Sequence, residues 1–531
     1  MLSFLIFLPI PIMLVMALLP GKANGLHRWL ALGAVVGQLM LVLGGVMLSF
    51  WTESLFSDPN HFFLVEKYDW IQADMGSFGR LHIDYHLGID GMALVLVLLT
   101  ALVNVFAVIS SWNIKQNPRA YFMLFLLLDL SLFGVFCALD FFLFYLFFEL
   151  MLLPMFFLIG LWGGARREYA AIKFFIYTLL GSVFMLLVMI GLSLSFLDPV
   201  ASEAFGKSVH TFNMRHMWEM TENGILVNVV SGSVFSMEGT VLGQNGRMVA
   251  FVLLFIAFAI KIPAVPVHTW LPDAHVEAPT PISVVLAGVL LKVGGYGLIR
   301  ICYGIFPEAM VHFSWWIGLV GLVSVIYGAL VAMAQTDLKA LVAYSSVSHM
   351  GYVLLGIASL EVIGIHGAIF QLFTHGLISS MLFLIVGVLY DRVHDRQIAN
   401  FRGLWSKMPR YSFFVLIAFF ASLGLPGFCA FVSELMVFMG AFTSESYSGG
   451  IPRWMAMAAT LGILLGAVYY LRTYRRMFFG RFDELEVSAS WSEKLTDLNT
   501  REYLLLVPLA ILIVLFGLFP SLIVDLIGVG R

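Results

Sequence analysis

Four charged residues interrupt stretches of this sequence that are otherwise almost wholly apolar. Glu149 stands in FFELMLLPMFF, Lys261 in FAIKIPAVPVHTWLP, Lys292 in VLLKVGGYGLIR and Glu434 in FCAFVSELMVFMG. A charge at the centre of a membrane-spanning helix costs about 2.5 to 3.5 kcal/mol on insertion scales, so residues of this kind mark ion or proton pathways or pair with one another. Helical spacing puts Tyr145 and Glu149 on one face, with Pro154 a little over one turn beyond. A carboxylate there needs a cation, and Lys261 is the candidate: each stabilises the charge of the other, and separating them makes a switch. The alternative is a static ion pair that only fixes helix register. Lys292 has no counter-ion close to it in sequence and is the candidate for a central proton relay.

Histidine supplies the remaining steps, because its unperturbed pKa of about 6.5 lets it take and pass a proton at little cost. His349, in AYSSVSHMGYVLLG, and His375, in FQLFTHGLISSML, lie in apolar runs beside Ser, Thr or Gly. His268, just after Pro263 and Pro266, and His366, in VIGIHGAIF, are secondary candidates. A lone histidine in such a place is ordinarily a satisfied core residue, but the set shares apolar runs with the charges and reads as a polar thread. Asp129 and Lys173 are either lateral links in that thread or residues near the headgroups. Cys137, Cys302 and Cys429 are far apart in apolar runs, with no spacing that suits zinc or an iron–sulfur cluster, and no metal ligand is assigned.

The elements that must hold these residues are spanning helices. Of 531 residues, 61% are hydrophobic and 11% charged, which makes the lipid bilayer the main solvent and leaves no room for a separate soluble domain. The net charge of −3 gives no pull toward nucleic acid. Apolar stretches of sufficient length predict an all-α polytopic membrane protein with about fourteen transmembrane helices. They begin near Leu2, Arg28, Leu87, Arg119, Asp140, Ala170, Met248, Pro279, His312, Asp337, Val362, Tyr411, Arg453 and Tyr503. The run from Leu2 to Leu19 lacks a preceding basic segment and contains Pro9 and Pro11, so it is expected to be a first spanning helix and not a cleaved signal.

Pro263 and Pro266 free the carbonyls of Ala259 and Ile262, so a break is expected next to Lys261. Pro426, flanked by Gly424 and Gly427, predicts a second break two turns before Glu434. Broken helices in the two halves, each bearing a central charge, point to a transporter fold of two inverted five-helix repeats. The expected organisation is N-terminal helices over 1–118, a first repeat over 119–305, a second over 306–480, and an amphipathic loop with the last helix over 481–531. Basic residues favour cytoplasmic loops: about 19 Lys and Arg fall in the odd-numbered loops against about 8 elsewhere outside the helices. The odd loops are then cytoplasmic and both termini face the outside of an inner (cytoplasmic) membrane.

The stretches ELMLLPMFFLIGLWGGARREYAAIKFFIYT, KIPAVPVHTWLPDAHVEAPTPISVVLAGVLLKVGGYGLIR, AQTDLKALVAYSSVSHMGYVLLG and GLPGFCAFVSELMVF resemble the antiporter-like subunits of respiratory complex I. The resemblance covers nearly the whole chain. It implies that Glu149 and Lys261 form the family's ion pair, that Lys292, His349 and His375 lie on its central hydrophilic axis, and that Glu434 is the terminal ionisable residue. Glu434 fits the M-type pattern, where paralogues commonly carry Lys, and the chain stops soon after its last helix, without the long lateral helix of the L-type. The implied activity is proton translocation in a redox-driven NADH:quinone oxidoreductase, with other membrane subunits of complex I, including paralogous antiporter-like ones, as partners. No Gly-rich dinucleotide fingerprint or iron–sulfur ligand set occurs, so no cofactor is expected in this chain and FMN and the clusters belong to partner subunits. A sodium/proton antiporter subunit, a membrane subunit of a related hydrogenase, and a purely structural subunit remain the competing readings.

Overall fold

The structure is a computed structural model that describes residues 1–20, 24–54, 62–76, 79–222, 229–230, 233, 235–236, 239–241, 244–446, 449–482 and 489–528. It is a helical membrane protein. Among these residues, eleven helices are long and apolar enough to cross a bilayer, from Gly25–Phe50 to Thr500–Leu518. The two helices that bear the expected breaks fall outside that set because neither half is long enough alone. Gly246–Lys261 stops at the double proline and resumes as Trp270–Glu277. Pro409–Ser422 is separated from Cys429–Thr443 by a segment containing Pro426.

Helix starts follow from side-chain capping. Asp90 accepts from the Ala93 amide at 2.9 Å, Asp140 from the Phe142 amide at 2.9 Å, and Asp337 from the Lys339 amide at 2.7 Å. Each satisfies a donor that the first helical turn leaves free, which sharpens the boundary. Close packing then relies on small residues. A Cβ on Gly351 would lie 2.6 Å from the Gly321 carbonyl oxygen, so the helices Pro307–Ala334 and Leu338–Ala358 meet backbone to backbone.

The all-α expectation needs one correction. The stretch expected as a loop before a helix at Leu87 instead holds an antiparallel hairpin, Phe63–Asp74 with Arg80–Ile89, and Val209–Thr211 pairs parallel to its second strand. Alternating residues such as Leu81, Ile83 and Tyr85 make this segment a strand, and the helix begins at Gly91, after the Asp90 cap.

Candidate proton-transfer site

Lys292 lies on a helix that is wound irregularly on both sides of it. Thr280–Val285 passes into a π-turn at Leu286–Leu290, regular helix returns over Leu291–Gly297, and a second π-segment follows at Leu298–Tyr303. Such turns are rare and concentrate where a helix serves a function, because widening the coil redirects a carbonyl. Here the Ala287 carbonyl accepts from the ammonium of Lys292, which is fully buried. The other partner of Lys292 Nζ is His375 Nδ1, at 2.7 Å, on the helix Val362–Val393.

From His375 the series continues without a gap wider than one ring contact. The rings of His375 and His349 lie 5.5 Å apart between centroids and are inclined at 50°. His349 Nδ1 is 3.2 Å from Glu434 Oε1, although neither atom is aligned for a hydrogen bond in this geometry. All four residues are buried. Two of the three steps are within the roughly 2.6–3.2 Å reach of proton transfer, and the imidazole–imidazole step needs one bridging water or a ring rotation. A small cavity of about 10 Å³, bordered by His349, Tyr352, Ser422 and Glu434, adjoins the far end of the series. Glycine creates the space for Glu434: Gly424 has φ +67°, and a Cβ there would sit 2.7 Å from Glu434 Oε2.

A hydroxyl branch leaves the series at His349. Its Nε2 is 3.1 Å from Ser422 Oγ, which is 2.7 Å from the Tyr470 hydroxyl, which in turn donates to Ser345 Oγ at 3.0 Å. Beside Glu434 and His375, Thr374, Ser433 and Gln371 form a second buried polar group, with Thr374 Oγ1 and Ser433 Oγ 3.1 Å apart.

Glu149 and Lys261 occupy a separate place. Glu149 sits one residue from the end of Phe141–Leu150, where Pro154 interrupts the ladder and the chain restarts as Leu152–Trp162. Lys261 is the last residue before the double-proline break, and its ammonium lies 4.6 Å over the ring of Phe148. The structure does not bring it within 4 Å of Glu149, and both Lys261 Nζ and Glu149 Oε1 are buried without a hydrogen bond. The break itself differs in detail from the sequence expectation. The Ala259 carbonyl, freed by Pro263, is taken at 2.8 Å by the amide of Ala264, and Trp270 Nε1 holds the Ile260 carbonyl at 2.9 Å. Lys261 and Lys292 belong to helices in direct backbone contact, since a Cβ on Gly294 would lie 2.6 Å from the Ile262 amide nitrogen.

Of the secondary candidates, Asp129 is buried on Pro118–Cys137 and accepts from Asn104 Nδ2 at 2.5 Å. Lys173 pairs with Asp273 at 2.7 Å at the edge of the fold. His268 packs edge-on to Tyr327, with ring centroids 5.2 Å apart. None of the three touches the Lys292 series.

Sequence reasoning missed other buried groups. Lys339 looks like a loop residue two positions after Asp337, yet it is buried and donates to the Ala278 carbonyl at 2.5 Å. It lines a cavity of about 500 Å³ with Glu277, Asp337, Asp391 and Arg396. His275 is buried and stacked on Phe383 with centroids 4.4 Å apart. Arg300 pairs with Asp90 at 2.5 Å and receives support from the Tyr296 hydroxyl, which donates to the Phe136 carbonyl. For His275 the available signal was its place within the DAHVEAP segment, next to the first broken helix, whereas nothing local in sequence marked Lys339.

A buried acid–base series that runs from a helix widened by π-turns to one broken at proline suits a membrane ion-transfer protein, and residues 138–466 match the family described as NADH:quinone oxidoreductase/Mrp antiporter, transmembrane. The chain belongs to this family. It is 37% identical over 528 residues to NADH-quinone oxidoreductase subunit M of Rickettsia typhi, covering 98% of this chain and 96% of the relative. With NADH-quinone oxidoreductase subunit M of Rhodobacter capsulatus it shares 39% identity over 534 residues, 99% of this chain and 95% of the relative. Its fold superposes with a TM-score of 0.79 on a chain of respiratory complex I from Thermus thermophilus, at 25% identity, covering 99% of this chain and 97% of that one. A chain of the Mrp complex from Dietzia sp. DQ12-45-1b shares the fold at a TM-score of 0.75 and 20% identity, covering 100% and 96%.

Proposed function

We propose that this chain is a proton-translocating membrane subunit of a redox-driven NADH:quinone oxidoreductase, and that Lys292, His375, His349 and Glu434 carry the proton in that order. The observation that carries the reading is the Lys292–His375 contact of 2.7 Å, continued through His349 to Glu434 at 3.2 Å. Four titratable groups from four helix segments have no packing reason to converge in a dry interior, whereas a relay needs each beside the next. Glu149 and Lys261 act as the input switch: a change in their separation alters the field on the neighbouring helix and drives the proton off Lys292. Asp129, Lys173 and His268 serve as lateral links toward neighbouring subunits.

The same reading includes fourteen crossings, counting each broken helix once, in two inverted repeats over 119–305 and 306–480 after the N-terminal helices 1–118. Both termini face the outer side, with the segment 481–531 entering from the cytoplasmic loop. Electron transfer and its FMN and iron–sulfur clusters belong to partner subunits. Moving one charge against 100 mV costs about 2.3 kcal/mol, so the drive comes from those subunits.

The test is reconstitution of the assembled complex in vesicles with NADH and a quinone. Redox-driven proton uptake is expected in the wild type, and its rate through this subunit is expected to fall at least about 100-fold in Glu434→Gln, the scale of a lost acid–base group. Wild-type proton flux in an assembled Glu434→Gln complex overturns the reading. Sodium/proton exchange by the purified chain alone would favour the antiporter class instead.

A further inference from the structure

The hairpin next to the helical bundle places three ligand-type side chains on one face of two paired strands. In its register Asp69 stands opposite Asp84, and His82 lies two residues from Asp84, so all three project to the same side. One donor atom from each falls within 4.8 Å of the others. His82 Nε2 is 3.2 Å from Asp69 Oδ1 and 3.2 Å from Asp84 Oδ1.

Those two contacts cannot both be hydrogen bonds. A neutral or protonated imidazole carries at most one hydrogen on Nε2, and that hydrogen serves Asp69. Asp84 Oδ1 is therefore left without a hydrogen bond, on a side chain that is 4% exposed. Its other oxygen is occupied by Lys67 Nζ at 3.1 Å, and the Asp84 amide donates to Asp140 Oδ2 at 3.3 Å. Two carboxylates directly opposite on paired strands also repel each other. A cation seated between Nε2 and the two oxygens answers all three conditions at once. Tetrahedral zinc, with bonds of roughly 2.0–2.2 Å to nitrogen and oxygen, sets its ligand atoms about 3.3–3.5 Å apart, close to the two edges found here.

We infer that Asp69, His82 and Asp84 form a binding site for a divalent metal ion of the zinc class, with three protein ligands and a fourth position left to water. The ligand set of one imidazole and two carboxylates suits a borderline cation better than calcium or magnesium, which prefer all-oxygen shells. Lys67 stays on the outer oxygen of Asp84 and lowers the affinity, so the site exchanges its ion and does not lock it in. Because the Asp84 amide holds Asp140, the cap of the helix that carries Glu149, the ion is joined to that helix through one residue. The inference stands independently of the proton relay.

The test uses the assembled complex in detergent, stripped with a chelator and titrated with Zn²⁺ by calorimetry and with Co²⁺ by visible absorption. The expected result is one tetrahedral Co²⁺ spectrum per chain that is lost in His82→Ala, with Zn²⁺ affinity at least tenfold weaker in His82→Ala and Asp69→Asn. Asp69 is largely exposed, so Asp69→Asn reports on the ion without threatening the fold. Stoichiometry and affinity unchanged in both variants overturn the site.

Discussion

Replacing Lys292 with methionine separates a relay from a brace. The ammonium is fully buried and has two partners, the Ala287 carbonyl and His375 Nδ1. Methionine fills nearly the same volume but leaves both partners without a donor, at about 1–3 kcal/mol each. It also removes a buried cation whose desolvation costs several kcal/mol. The two effects oppose each other at similar size, so Lys292→Met is expected to insert and assemble with stability within a few kcal/mol of the wild type. Proton transfer is different, since no other titratable side chain among the described residues is hydrogen-bonded to His375. Loss of a positioned acid–base group costs about 10²–10⁴ in rate, or about 3–5 kcal/mol of barrier. Coupled proton flux in vesicles energised with NADH should therefore fall at least about 100-fold. Lys292→Arg sharpens the result: arginine keeps the positive charge but does not deprotonate in proteins, so a brace would tolerate it and a relay would not. An assembled Lys292→Met complex with wild-type flux per electron refutes the argument.

Three further perturbations probe the surroundings. Glu149→Ala and Lys261→Ala, each removing one of the two charges at the interrupted helix ends, should depress coupled flux about tenfold or more while the subunit remains inserted, and normal pumping in both would remove them from the mechanism. Asp90→Asn breaks the 2.5 Å pair with Arg300 and strands a buried guanidinium, so thermal unfolding of the purified complex should register a loss of about 3–5 kcal/mol, recovered in the Asp90→Leu/Arg300→Met double variant. Gly294→Ala drives a methyl to 2.6 Å from the Ile262 amide nitrogen, and the forced separation should cost about 1–3 kcal/mol together with activity, whereas full activity would show that the two helices need not touch.

The sequence exposed the charges because each is the one charged group in an apolar run, and insertion cost makes such a residue conspicuous without any knowledge of its neighbours. The breaks were legible for a similar reason, since proline acts on the backbone within four residues. What stayed hidden was pairing over distance. Lys292 meets His375 83 positions later, and His349 reaches Ser422 73 positions later, contacts for which local spacing carries no signal. Lys339 was hidden by the opposite cause, because its position at a helix start imitates an exposed residue while tertiary packing buries it. The hairpin was hidden by the long polar interval around it, in which an alternating strand of ten residues is a weak signal beside twenty-residue apolar runs.

The separation of the two charged sites has a mechanical consequence. If Glu149 and Lys261 were firmly bonded, the cation would be neutralised and the relay helix would feel little of it. With Lys261 instead resting on Phe148, its position depends on the kinked end of one helix and the proline break of another, two places where the hydrogen-bond ladder is already interrupted. The residue that follows it, Ile262, presses its amide against Gly294, two positions beyond Lys292. In the proposed mechanism a displacement at the break would reach Lys292 by backbone contact as well as through the field, and the π-turns flanking it would supply carbonyls that exchange partners as it moves. On this account Gly294→Ala and Lys261→Ala should fail in different ways. The alanine variant at 294 leaves every titratable group in place and should slow coupled turnover without changing the protons moved per electron, whereas Lys261→Ala keeps the contact and should lower that ratio. Unchanged turnover in Gly294→Ala beside a lowered ratio in Lys261→Ala would leave the field as the only link and remove the mechanical one.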